Sequence, residues 1–197
     1  MKRMAILAAV ATLSVGAQAA NLFWSGDTTG GPTFNRPVSL TGLSGVGTAV
    51  AYQVQVFHVT VSGDYEFEAH ADTLWDTYIV LYEGGFYPNS PLTNIIGGDD
   101  DFGGSFTMLT NNGGVGAGIG SSKLDTPVNG FGAMSLTAGV NYYAVVTGFG
   151  NADFGAYDAA IGNGQGDVIA GAVPEPTTMA IFGLGAAALA ARKRRKS

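Results

Sequence analysis

The strongest constraint in this chain is a period of two. Apolar side chains recur at alternate positions through Phe57, Val59 and Val61, and after Ser62-Gly63-Asp64 the alternation resumes at Tyr65, Phe67 and Ala69, against Glu66, Glu68 and His70. Such alternation turns one face of an extended strand toward a core and the other toward water. Gly63-Asp64 carries turn chemistry, so residues 51–61 and 65–70 are predicted to pair as a β-hairpin. Thr77-Tyr78-Ile79-Val80-Leu81-Tyr82 is a nearly unbroken β-branched and aromatic run, as expected of a central strand, and Glu83-Gly84-Gly85 ends it. Residues 131–136, 140–148 and 155–161 read as further strands, with a turn at Ala138-Gly139. Pro88 and Pro91 bound a loop before residues 92–96. Gly97 to Gly104, with Asp99, Asp100 and Asp101 in its middle, is predicted to be an exposed loop. Nothing between the two ends of the chain sustains a 3.6-residue apolar period. Seven or eight short strands separated by turn residues argue for an all-β fold, an antiparallel β-sandwich.

The ends are of a different kind. Lys2 and Arg3 precede a short apolar run, residues 5–15, and then small residues at Ala17 and Ala19. A basic start, an apolar core and a small-x-small site make a secretory signal peptide, expected to be helical and to be cut by signal peptidase after Ala19. At the far end, Pro174-Glu175-Pro176 precedes an apolar run, residues 177–191, and then Arg192, Lys193, Arg194, Arg195 and Lys196. The prolines stop any regular structure from entering the run, and the cations hold its end on the cytoplasmic side. As a helix, fifteen residues cover about 22 Å against a hydrocarbon core of about 30 Å. That length suits transient insertion into the inner membrane better than a lasting anchor. Three parts are therefore expected: a signal peptide at 1–19, a body at 20–172 and a terminal signal at 173–197.

The order Pro-Glu-Pro, short apolar helix, basic tail resembles the PEP-CTERM sorting domain of Gram-negative bacteria. The resemblance implies cleavage near Pro174, Glu175 and Pro176 by an exosortase. It also implies delivery to the cell envelope or exterior, and association with exopolysaccharide and biofilm. The body is similar to bacterial pre-peptidase C-terminal domains over residues 51–162. The likeness is carried by Phe57 to Phe67, Asp76 to Tyr82, the Asp99-Asp100-Asp101 loop, and Leu136-Thr137-Ala138-Gly139 followed by Tyr142 to Val146. It implies a sandwich with jelly-roll character.

Charge narrows the partners. Of nine basic residues seven lie in the ends, so residues 20–173 keep only Arg36 and Lys123 against fourteen carboxylates, a net of 2 − 14 = −12. Nucleic acid and anionic membrane surfaces repel such a body. With no cysteine there is no disulfide, no thiolate nucleophile and no zinc–thiolate site.

Catalytic patterns are weak. His58 and His70 sit in alternating strand patterns. Gly42-Leu43-Ser44-Gly45-Val46 lacks the last glycine of a nucleophile elbow, and no HExxH or phosphate-binding loop is present. No catalytic residue is assigned. Asp99, Asp100 and Asp101 are adjacent like charges in a segment with no cation, and calcium would relieve their repulsion; Asp72 and Asp76 are candidates to join them. Trp75, Phe86 and Tyr87 are candidates for a sugar-stacking platform. The expected function is that of a non-enzymatic surface or matrix protein. A carbohydrate-binding module is the alternative, and a small secreted hydrolase a third reading.

Overall fold

The structure is a computed structural model, and it describes residues 19–71, 75–102, 104–109, 120–124 and 134–173. Fourteen strands and no helix occur among these residues. They are β1 (Leu22–Asp27), β2 (Thr33–Phe34), β3 (Pro37–Ser39), β4 (Gly42–Leu43), β5 (Val50–Val59), β6 (Gly63–Asp64), β7 (Glu66–Ala71) and β8 (Thr77–Glu83). The rest are β9 (Ile95–Asp99), β10 (Ser121–Leu124), β11 (Ser135–Leu136), β12 (Tyr142–Gly148), β13 (Ala156–Gly162) and β14 (Val168–Ala170). The predicted helices at the two ends lie outside the described residues.

Two antiparallel sheets carry the fold. The smaller has the order β1-β13-β7-β10, and the larger β14-β5-β12-β8-β9, with β2 also pairing with β5. Between them lies the main core: Phe57 and Val59 of β5, Ile79 and Leu81 of β8, and Tyr142, Ala144 and Val146 of β12 face Phe67 and Ala69 of β7 and Tyr157, Ala159 and Ile161 of β13. In β8, and at Val145 of β12, the alternate residues that point outward are buried too. Tyr78, Val80, Tyr82 and Val145 pack beneath Phe34, Tyr52 and Phe86. This double burial explains why β8 reads as an unbroken apolar run. The outer face of the smaller sheet is covered in the same way, by Phe106, Met108 and Leu109 over Ala160.

The expected all-β antiparallel architecture is present, with two local corrections. The strands expected to form a hairpin do not pair: β5 pairs with β12, β14 and β2, whereas β7 pairs with β13 and β10. Alternation specifies which face is buried but not which sheet the strand joins. The short link through Gly63-Asp64 steps from one sheet to the other and pairs with β11 on the way. The second correction concerns the glycine-rich acidic segment. Gly97, Gly98 and Asp99 are buried in β9, where Gly98 lies opposite Val80 and Asp99 opposite Ile79. Main-chain bonds to β8 override the poor strand propensity of glycine there.

Candidate functional site

β12 is the spine of the larger sheet, and a group of candidate site residues lies at each of its ends. β8 and β9 are antiparallel, so the start of one lies beside the end of the other. Asp76, just before β8, therefore meets Asp100 and Asp101, just after β9, and one ligand oxygen from each of the three lies within 4.8 Å of the others. Sequence reasoning placed Asp99 in this group, but alternation sends its side chain inward. It is buried and accepts the Lys123 N–H at 3.0 Å. Asp72 lies outside the described residues.

The three carboxylates crowd one another at the edge of the protein. Burial first, then the charges of Asp101 and Asp153, push the Asp76 carboxyl up to about 6, while Arg36 pulls it back. Burial, then the charges of Asp76 and Asp101, push Asp100 up to about 7, again against Arg36. Oδ1 of Asp76 and Oδ1 of Asp100 are buried without a hydrogen-bond partner. Such a cluster can share protons or gather around a hard cation that takes oxygen ligands.

Arg36 stands beside it and was not singled out from the sequence. Its side chain is 1% exposed, its Nε donates to Phe149 O at 2.8 Å, and its guanidinium carbon lies 3.9 Å from the Tyr78 ring centre and 4.5 Å from that of Phe149. Burial lowers its pKa, with Tyr78 and Asp100 opposing, and burial pushes the Tyr78 hydroxyl up to about 12. Arg36, Tyr78, Asp100 and Phe149 line a cleft of about 230 Å³ under the β3–β4 hairpin. A lone arginine in an otherwise acidic body was the available signal.

The remaining candidates are dispersed. Trp75 does not belong to a sugar platform: it is 7% exposed, packs in the inter-sheet core and donates its Nε1–H to Ala156 O at 3.0 Å. Phe86 packs on the opposite side of the larger sheet, edge-on to Phe34 and Tyr52. Tyr87 alone of the three is open to solvent, at 51%, beside a shallow cleft formed with Pro88, Asn89, Ser90 and Thr93. His70 Nδ1 lies 2.9 Å from Ser121 Oγ, but Ser121 is fully buried and Phe106 packs edge-on to the imidazole. His58 lies in β5, with Nδ1 3.1 Å from Gly171 O.

That contact belongs to the other end of the spine. β14 runs beside β5 with Ile169 opposite His58 and Ala170 opposite Phe57. Gly171 then turns the chain with φ +91°, a conformation natural to glycine, and its N–H donates to Val56 O at 2.8 Å. Val173 N–H donates to Asn141 Oδ1 at 2.6 Å, at the entrance to β12. Residues 171–173 thus form a strap from β5 toward β12.

Pro174, Glu175 and Pro176, the cations Arg192 to Lys196, and Ala17 lie outside the described residues, whereas Ala19 is at their edge. No helix among the described residues is long and apolar enough to cross a membrane. No curated protein matches the chain. Residues 172–195, beginning inside the strap, match the PEP-CTERM protein-sorting motif, which marks an exported protein sorted to the cell envelope and processed by an exosortase.

Proposed function

We propose that this chain is a non-enzymatic surface or matrix protein whose folded cargo is the β-sandwich and whose address is the terminal motif. The observation that carries this reading is the position of the motif, which begins at Ala172, two residues beyond the end of β14, the last strand among the described residues. Signal peptidase releases the body at Ala20, the exosortase acts near Pro174-Glu175-Pro176, and the body is left outside the cell in contact with exopolysaccharide. The glycan-binding alternative is narrowed to the loop around Tyr87, because Trp75 is core. Intact mass spectrometry of the protein from the medium and cell surface of its host tests the reading. The expected product begins at Ala20 and ends near Pro176. A product still carrying Arg192 to Ser197 would overturn it, as would normal processing after all three motif residues are replaced by alanine.

A second reading concerns the acidic end. The convergence of Asp76, Asp100 and Asp101, with two buried oxygens lacking partners, supports calcium as a stabilising ion there. Calcium takes six to eight oxygens, so main-chain carbonyls or water must complete the shell. Millimolar calcium is expected to raise the melting temperature of the body at pH 8, and to do so no longer once Asp76 and Asp101 are both asparagine. An equal shift in that double variant would remove the assignment.

A further inference from the structure

We propose that the body makes its own covalent clasp, in which Lys123 Nζ attacks the side-chain amide of Asn163, Glu66 carries the proton, and an isopeptide bond joins the two residues. The proposal depends on neither the sorting nor the calcium reading. The smaller sheet brings the groups together. Glu66 and Glu68 stand on β7, Lys123 lies on β10 opposite Glu68, and Asn163 follows Gly162, the last residue of β13, which lies opposite Glu66. Buried Lys123 has its Nζ 3.2 Å from Glu66 Oε2, 3.4 Å from Glu68 Oε1 and 3.5 Å from Thr107 Oγ1, with the centre of the Phe102 ring at 5.4 Å. Asn163 Nδ2 donates to the same Glu66 Oε2 at 2.8 Å and to the same Thr107 Oγ1 at 2.6 Å. Amine and amide thus meet on two shared oxygens. The main chain of Asn163 is held as well: its N–H donates to Asn21 Oδ1 at 3.1 Å, and its φ of +54° is a left-handed conformation that Asn tolerates.

An ammonium is not a nucleophile, so Lys123 first gives up a proton. The acceptor is in place. Burial acts to raise the Glu66 carboxyl, but the donors on Thr107, Asn163 and Lys123 outweigh it and hold the group below its ordinary range, so it stands ionised. Moving a proton from Nζ to Oε2 turns an ion pair into a neutral amine and acid, a change that low dielectric favours. The Nζ lone pair then forms a bond to Cγ of Asn163, and Oε2 passes its proton to Nδ2 as the Cγ–Nδ2 bond breaks. A second Nζ proton follows the same route. The Lys123 ammonium and the Asn163 amide become one secondary amide and one ammonium ion, and Glu66 is again a carboxylate. Asn163 is exposed, which gives the ammonium a way out. The gain falls on β10, a four-residue strand at the edge of the smaller sheet. The bond ties it across β7 to the end of β13 and closes a loop of about 40 residues, the service a disulfide gives elsewhere, in a chain with no cysteine.

Trypsin supplies the test. Between residues 20 and 173 it has one usable site, Lys123–Leu124, because Arg36 is followed by Pro37. The full chain is isolated from its own host, denatured, digested and weighed. The expected body fragment runs unbroken through position 123 and is lighter than its sequence by one ammonia, about 17 Da. Cleavage after Lys123 overturns the proposal: at full mass there is no bond, a deficit of about 17 Da then marks a succinimide at Asn163-Gly164, and a gain of about 1 Da marks deamidation. An unbroken fragment lighter by about 18 Da overturns it too, since loss of water makes a glutamate the partner. All of these are read on the native chain and need no variant to fold. Asn163→Ala is expected to abolish the ammonia loss and restore cleavage after Lys123. Glu66→Gln keeps the size of the side chain but not the base, and is expected to slow bond formation about a hundredfold in a pulse-chase. A native rate in that variant would overturn the role given to Glu66.

Discussion

At the scale of single residues, Asp76 and Asp100 carry the clearest consequence. Both have folded-state pKa values above their ordinary 3.8, about 6 and about 7, so between about pH 4 and pH 7 the folded protein holds more protons than the unfolded chain. The stabilisation that comes with protonation is complete below about pH 4 and is lost as pH rises through 6 to 7. The two titrate as a coupled pair. In the absence of divalent ions, thermal melts are therefore expected to show higher stability at pH 5 than at pH 8. Asp100→Asn should flatten that slope and raise the melting temperature at pH 8 by about 2–4 °C, a modest figure because solvent screens these partly exposed groups. A second residue-level prediction follows from Ala20. Its backbone nitrogen lies 2.8 Å from Asp167 Oδ1, and cleavage after Ala19 would turn that nitrogen into an ammonium. Asp167→Asn should then lower the stability of the cleaved protein, by about 1 kcal/mol in chemical denaturation, more than that of the uncleaved chain.

At the scale of elements, the segment over the smaller sheet is pinned by one carboxylate. Glu68, fully buried on β7, accepts the N–H groups of Thr107 at 2.7 Å, Met108 at 3.0 Å and Leu109 at 2.9 Å, and lies 3.4 Å from Lys123 Nζ. Glu68→Ala should cost about 3–5 kcal/mol of unfolding free energy and expose the amides of residues 107–109 to hydrogen exchange. None of this was visible in the alternating pattern, which gave Glu68 to a water-facing row. The pattern was sufficient for β8 and β12, whose cores are long, β-branched and aromatic. It was insufficient for β1, β10 and β14, which are short or built from serine, lysine and glycine and owe their extended form to a neighbour's main chain. Partnership was the hidden quantity in general. The pairing of β8 with β9 brings Asp76 to Asp100 and Asp101 from 24 residues away, and the same pairing turns Asp99 inward. The terminal motif, by contrast, is a contiguous string that needs no fold to be recognised, which is why it was legible in full.

At the scale of the whole molecule, the body has two opposed ends. From Asn141 to Phe149, eight residue-to-residue steps of extended chain span about 26 Å, with the strap at one end and the carboxylates beside Arg36 at the other. Anything tethered through the strap presents its acidic end away from the point of attachment. The two cations of the body present no positive patch at the surface, since Arg36 is 1% exposed and Lys123 is 4% exposed, each enclosed by aromatic rings or glutamates. Neighbouring copies therefore meet as like-charged colloids. Below about 0.01 M ionic strength, where the Debye length reaches about 30 Å, they should hold one another apart. Light scattering should show a repulsive second virial coefficient there that shrinks with added sodium chloride, and shrinks at far lower concentration with a divalent salt. A coat of such molecules would swell in fresh water and tighten in hard or saline water, with no change in the fold of any one of them.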